Sequence, residues 1–233
     1  MRTALPWPKA RAQQKAQRRA MILDAAELLM RETGSTEFSV GMLAERAGLS
    51  VATLYNLIGS KGSILYVLLN QHLDAQEAAV AAARLDGDPF AQAIDAAGIV
   101  ASVFVRDPAY LRPLWRYQLG AIEPSHRPAL MNRALALWER WLTPLERARH
   151  LPRGIGLHDL AREYRIYFAG ALDLWVQDEL DDAQFLAQIR YGCLLRLLAL
   201  GDVGAQPRLL KDLQKTHRQL ALLAKAAGTA PST

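Results

Sequence analysis

Between residues 50 and 61 stand Ser50, Val51, Thr53, Tyr55, Asn56 and Lys61, a hydroxyl-rich set with no acidic residue among them. Hydroxyls of Ser, Thr and Tyr donate to phosphate oxygens, an asparagine amide reads a base edge, and a valine methyl packs on that of thymine. Lys61 adds a positive charge at the predicted start of a helix, where backbone N–H groups are also free for an anion. Upstream, Arg18 and Arg19 close a run begun by Arg2, Lys9, Arg11 and Lys15, and residues 1–20 hold no Asp or Glu. Such a run is a solvated arm by default, and an arm that meets phosphates when a nucleic-acid reader follows it.

The elements that must position this face are short helices. Apolar Ile22, Ala25, Ala26 and Leu29 recur with helical period between Arg18 and Glu32, and Gly34 is placed to cap that helix. Ser39 caps a second helix through "VGMLAERA", with Phe38 before it as half of a hydrophobic staple. Gly48 stops the second helix and Ser50 caps a third, "VATLYNLI", whose apolar side is Leu54, Leu57 and Ile58. Two short helices crossing steeply need a small contact residue, a tight turn and apolar anchors, and Ala44, Gly48, Leu54 and Leu57 supply them. In a helix-turn-helix the second helix enters the DNA major groove. The same pairing also describes a plain corner in an all-α protein, so the pattern by itself leaves both readings open.

The rest of the chain reads as helix. After "GSKGS", "ILYVLLNQHLDAQEAAVAAARL" runs unbroken to the "DGDP" break. Further helices are expected near 89–106, 108–122, 127–149, 157–180, 182–200 and 206–227, and no alternating strand pattern competes with them. At 233 residues, 51% hydrophobic and 22% charged, the chain has the composition of a globular all-α protein. The lone Cys193 sits in "GCLLRLLAL" and reads as a small buried hydrophobe in a reducing cytosol. No signal peptide pattern is present and the near-apolar stretch "AAGIVASVFV" is too short to span a bilayer, so a cytoplasmic protein without a membrane partner is expected.

Several chemistries are not written in the sequence. The histidines at 72, 126, 150, 158 and 217 lack ligand spacing with one another or with Cys193, so no metal is expected. "GSKGS" has the wrong order for a nucleotide-phosphate loop and no serine sits in a nucleophile elbow. Neither a cofactor nor an enzymatic activity is expected.

The stretches "RRAMILDAAELLMRETG" and "FSVGMLAERAGLSVATLYNLIGSKGSIL" closely resemble the tetracycline-repressor (TetR) family of bacterial regulators, specifically through "AERAGLS", "TLY" and "SK". Beyond residue 66 the resemblance rests on helix number and length and on "GALDLWVQDELDD", similar to the family's dimerisation region. It implies a basic flexible arm over 1–17, a DNA-binding domain over 18–66 and a helical effector-binding and dimerisation domain over 67–233. It also implies that Ser39, Thr53, Tyr55 and Lys61 touch phosphates while Val51, Ala52 and Asn56 lie near base edges. This chain departs from the family pattern at Gly41, Leu57, Ile58, Gly62 and Ser63, which removes any reading of the operator sequence.

The function implied is a regulator, by family default a repressor, that binds a near-palindromic double-stranded operator as a homodimer. A small apolar or aromatic effector would release it through a pendulum-like shift of the fourth helix. For the effector pocket the sequence offers Phe104, Arg112, Trp115, Arg116, Tyr117, Trp138, Trp141 and Tyr167. For the dimer interface it offers stripes through Tyr164, Phe168, Ala171 and Trp175 and through Phe185, Ile189, Gly192 and Leu195. A second copy is expected because one short reading helix gives too little specificity. A helical ligand-binding or scaffolding protein, and an architectural DNA binder without effector, remain the alternatives.

Overall fold

The computed structural model describes residues 7–120 and 124–228. Among the described residues there are ten helices and no strand. They form two compact units: the described parts of Met1–Gln71 with Ala109–Arg127, and of His72–Pro108 with Pro128–Thr233.

The first unit opens with α1 (Trp7–Thr33), so residues 7–17 of the expected arm are helical, while residues 1–6 lie outside the described residues. Residues 7–17 are helical because Ala, Gln, Lys and Arg dominate them and no glycine or β-branched residue interrupts the run. Residues 11–20 are nevertheless all exposed, and Arg2 lies outside the described residues. The second half of α1 buries Ile22, Ala25, Ala26, Leu29 and Met30. It ends where Gly34 takes φ +63° and its N–H donates to the Met30 carbonyl at 2.9 Å.

Helices α2 (Val40–Arg46) and α3 (Val51–Leu57) pack on α1 and on each other. Ser39 Oγ accepts from Met42 N at 3.1 Å and Ser50 Oγ from Thr53 N at 3.2 Å, so both caps form as the sequence predicts. The first unit also holds the opening half of α4 (Lys61–Ala82) and α6 (Pro108–Gly120) from Ala109 onward. There the Arg31 guanidinium lies 4.9 Å from the centre of the Tyr110 ring, and Tyr66 meets Tyr117 edge to face.

The second unit holds the rest of α4 with α5 (Pro89–Phe104), α7 (Arg127–Arg147) from Pro128, α8 (Leu157–Val176), α9 (Asp182–Leu198) and α10 (Gln206–Gly228). Helix α9 is its axis, contacted by α5, α8 and α10. Helices from α5 onward begin at the expected residues; α5 and α9 stop two residues earlier than predicted, and α7 and α8 stop two and four earlier. Arg149 at φ +60° and Asp178 at φ +64° close them in left-handed turns that a search for glycine does not flag. Phe104, Trp138, Phe168, Trp175 and Phe185 form one aromatic cluster, with Trp175 stacked on Phe185 at 5.4 Å. Each such side chain, fully buried, contributes about 2–3 kcal/mol.

That cluster takes up most of the stripes offered for a dimer interface. Tyr164, Phe168, Ala171, Trp175, Phe185, Ile189 and Gly192 are buried inside the protomer, and of the eight only Leu195 is exposed, at 49%. A wheel of apolar positions shows that a face is buried, not what buries it, and here the chain itself does. Gly192 has its own reason: a Cβ there would lie 1.9 Å from the Tyr167 ring. Tyr167 crosses α9 at that gap, donates to the Gln188 carbonyl at 2.6 Å, and is covered by Arg196 at 4.0 Å. Near it Tyr164 Oη and Cys193 Sγ lie 3.4 Å apart, and burial pushes the thiol up to about 12, so it stays protonated.

Candidate nucleic-acid interface

The turn between α2 and α3 is a closed hydrogen-bonded unit. Gly48 adopts φ +65°, its N–H donates to the Glu45 carbonyl at 3.0 Å, and Leu49 N donates to the Ala44 carbonyl at 2.9 Å. This is the two-bond ending that a left-handed residue permits. A Cβ on Gly48 would meet nothing within 4 Å, so the glycine is required by its backbone angle and not by crowding. Ala44 is buried beside the turn and Leu54 anchors α3 at 0% exposure, while Leu57 is half-buried.

With Leu54 held in, the opposite face of α3 is held out. Val51 is 42% and Tyr55 51% exposed, large side chains that a plain internal corner would have covered. Ser50, Ala52 and Asn56 are exposed too, and Thr53 is half-buried with Oγ1 2.8 Å from Ser50 Oγ. No side chain of α3 carries a formal charge at neutral pH. Ser39, Met42 and Gly41 are exposed on the neighbouring cap and helix, and Met42, at 47%, is one the sequence reading did not single out.

Lys61 is placed differently from a free phosphate contact. Its Nζ donates to the Phe38 carbonyl at 3.2 Å and lies 5.3 Å from that ring's centre, which fixes the first turn of α4 to the start of α2. An ammonium has three protons, so this bond leaves others for an anion. A two-pronged exposed pair, Arg46 to Glu32 at 2.7 Å on both oxygens, ties α2 to α1, and the hydrogen bond holds the Glu32 carboxyl below its usual range. Arg18 and Arg19 are exposed on α1.

The eight effector candidates are not gathered within either unit. Arg112, Trp115, Arg116 and Tyr117 belong to the first, where Arg116 and Tyr117 border a cleft of about 420 Å³ beside residues 34–37. Phe104, Trp138, Trp141 and Tyr167 belong to the second. Phe104 and Trp138 are core, and Trp141, 8% exposed, edges a cleft of about 270 Å³ that also involves α4 and α5. Sequence reasoning missed the other walls of that cleft because they carry no aromatic residue. Among the described residues no group of three His, Cys, Asp or Glu side chains is arranged to hold a metal, and no single helix is long and apolar enough to cross a membrane.

Among the described residues, a short helix mounted on a tight turn with its uncharged face outward has the arrangement of a helix-turn-helix domain. Residues 22–66 match the profile of bacterial regulatory proteins, tetR family. The whole-chain fold is similar to a protein from Syntrophomonas wolfei assigned to the TetR-family transcriptional regulators, at 17% identity and TM-score 0.65, covering 80% of this chain and 96% of that one. It is similar also to Thermus thermophilus FadR, a TetR-family transcriptional repressor solved with lauroyl-CoA, at 22% identity and TM-score 0.62 over 78% and 93% of the two chains. A third, TylP, a TetR regulator from Streptomyces fradiae, shares 19% identity at TM-score 0.59 over 86% and 98%. Comparison with curated proteins finds no match. Residues 22–66 thus match the tetR-family DNA-binding domain, and the chain shares the fold of these solved TetR-family structures.

Proposed function

We propose that this regulator is a homodimeric repressor that binds a near-palindromic operator and releases it when a small molecule enters the second unit. The observation that carries the reading is the exposure of Val51, Tyr55 and Asn56 on a helix whose only buried residue is Leu54. On this reading Ser39, Ser50, Thr53, Tyr55 and Lys61, with Arg18 and Arg19, meet phosphates and set the register, while Val51, Ala52 and Asn56 face base edges. The fourth helix contributes to both units, its first half with Lys61 to the first and its later half to the second, which makes it the proposed route of release. Supporting a second copy is a row of exposed positions on α8, Ile166, Gly170 and Leu174, four residues apart, with Leu195 exposed on α9. The gap at Gly170 suits close helix approach.

Gel-shift titration of the full chain against genomic fragments tests this. Saturable binding at nanomolar protein in physiological salt is expected, with Tyr55→Ala weakening all sequences and Asn56→Ala relaxing base preference, each by about 1–3 kcal/mol. Binding that is only sequence-blind and salt-sensitive would instead make the chain an architectural or scaffolding protein.

A further inference from the structure

The cleft of about 270 Å³ in the second unit has a chemistry that narrows what it takes. Its apolar walls are Val80, Ala96 and the edge of Trp141, exposed at 9%, 1% and 8%. Two arginines line it. Arg140 is occupied by an ion pair with Glu77, which also lies 4.0 Å from Arg133. The Arg84 side chain has neither an ion pair nor a hydrogen bond among the described residues, and it is exposed just past the end of α4. Asp88, at the start of α5, already accepts from Ala91 N at 2.7 Å and pairs with Arg208 at 2.6 Å.

Arg84 also holds φ +47°, a left-handed conformation that costs a non-glycine residue about 1 kcal/mol and that glycine or asparagine would adopt more easily. The cleft therefore keeps a guanidinium where the backbone alone favours a smaller residue, the kind of local strain that persists at binding sites. On the α7 wall, Pro144 has no N–H to give the Arg140 carbonyl, which leaves that acceptor without its helical donor.

The geometry points to a small monocarboxylate with an apolar or aromatic body as the ligand of this cleft, its carboxylate held by the Arg84 fork and its body against Val80, Ala96 and Trp141. A guanidinium presents two parallel donors that match a carboxylate, and the apolar walls contribute for any apolar body. The volume is worth about nine waters at ~30 Å³ each, so the body is at most a single ring or a short branched chain. The inference rests on the effector-regulated reading above and names the class of molecule that would act there.

Phenylacetate and phenylacetamide, which differ in charge and little in shape, are the probes. Titration calorimetry on the full chain is expected to show phenylacetate binding at about 1 mM or tighter and the amide about tenfold weaker. Arg84→Gln should abolish the difference, Arg84→Lys should retain part of it, and Arg147→Gln, on the exposed end of α7, should leave it intact. Equal binding of acid and amide, unchanged binding in Arg84→Gln, or no phenylacetate binding at that concentration would each overturn the assignment. Operator binding by the same preparations without ligand is measured alongside: its loss in wild type counts against the regulator reading, and its retention leaves the cleft result to stand or fall alone.

Discussion

The two units are built on opposite principles. The first makes its functional part from pieces of seven residues, α2 and α3, too short to be stable as isolated helices, and holds them by Ser39, Ser50, the left-handed Gly48 and one anchor, Leu54. The second is held by aromatic mass, with Phe104, Trp175 and Phe185 fully buried around α9. A reader of DNA needs its working side chains outside, so its precision rests on backbone bonds. A helical body needs only close packing, so its precision rests on volume.

The largest effect expected from breaking that contrast is in the second unit. Phe185→Ala should lower stability by about 3–5 kcal/mol through the cavity it leaves, read by urea unfolding with Trp138, Trp141 and Trp175 as reporters. A loss under half of that would mean the aromatic cluster is not what holds the unit.

Next in size is a pH dependence. Burial against Phe104, at 4.5 Å between rings, lowers the pKa of His72 to about 3, so it stays neutral in the folded chain while the unfolded chain takes up a proton near 6.5. The unfolded state then binds more protons between those values. The His72 contribution is absent above about pH 6.5 and grows as a penalty of about 1.4 kcal/mol per unit as pH falls toward 3. Wild type should therefore lose about 2 kcal/mol from this group between pH 7 and pH 5, and His72→Leu should show a flatter profile. Parallel profiles for the two proteins would sink the assignment.

Smaller effects belong to the first unit, where function should change more than stability. Gly48→Val puts a β-branched residue at φ +65° and should cost about 1–3 kcal/mol, with a much larger fall in operator affinity as α3 is misaligned. Ser50→Ala should cost about 1 kcal/mol by removing the cap on Thr53 N, with Ser50→Gly costing less, both measured by thermal melts. If the Gly48 variant keeps its operator affinity, the turn does not set the reading helix.

Local features of the fold were legible. Gly34, Ser39, Gly48 and Ser50 each act over three or four residues, and each stands in the structure as its residue type predicts. Residues 7–17 are cationic and also good helix formers, so charge points to a solvated arm where propensity makes a helix. The cleft of the second unit was only partly visible, since Trp141 is conspicuous whereas Val80, Ala96 and Arg84 look like ordinary helix residues until α4, α5 and α7 meet.

By itself the sequence determined where the helices after the first begin, how the first two short ones turn, and which side chains of the third face outward, because caps, left-handed glycines and a single anchor act on near neighbours. Only the tertiary structure decided where the long apolar stripes went. Tyr164, Phe168, Trp175 and Phe185 look equally ready to meet a partner or their own chain, and it is the packing of α5, α8 and α10 around α9 that turned them inward and left Ile166, Leu174 and Leu195 outside. Burial of apolar area has no direction of its own, so what covers a stripe is settled only when all the helices that compete for it are in place.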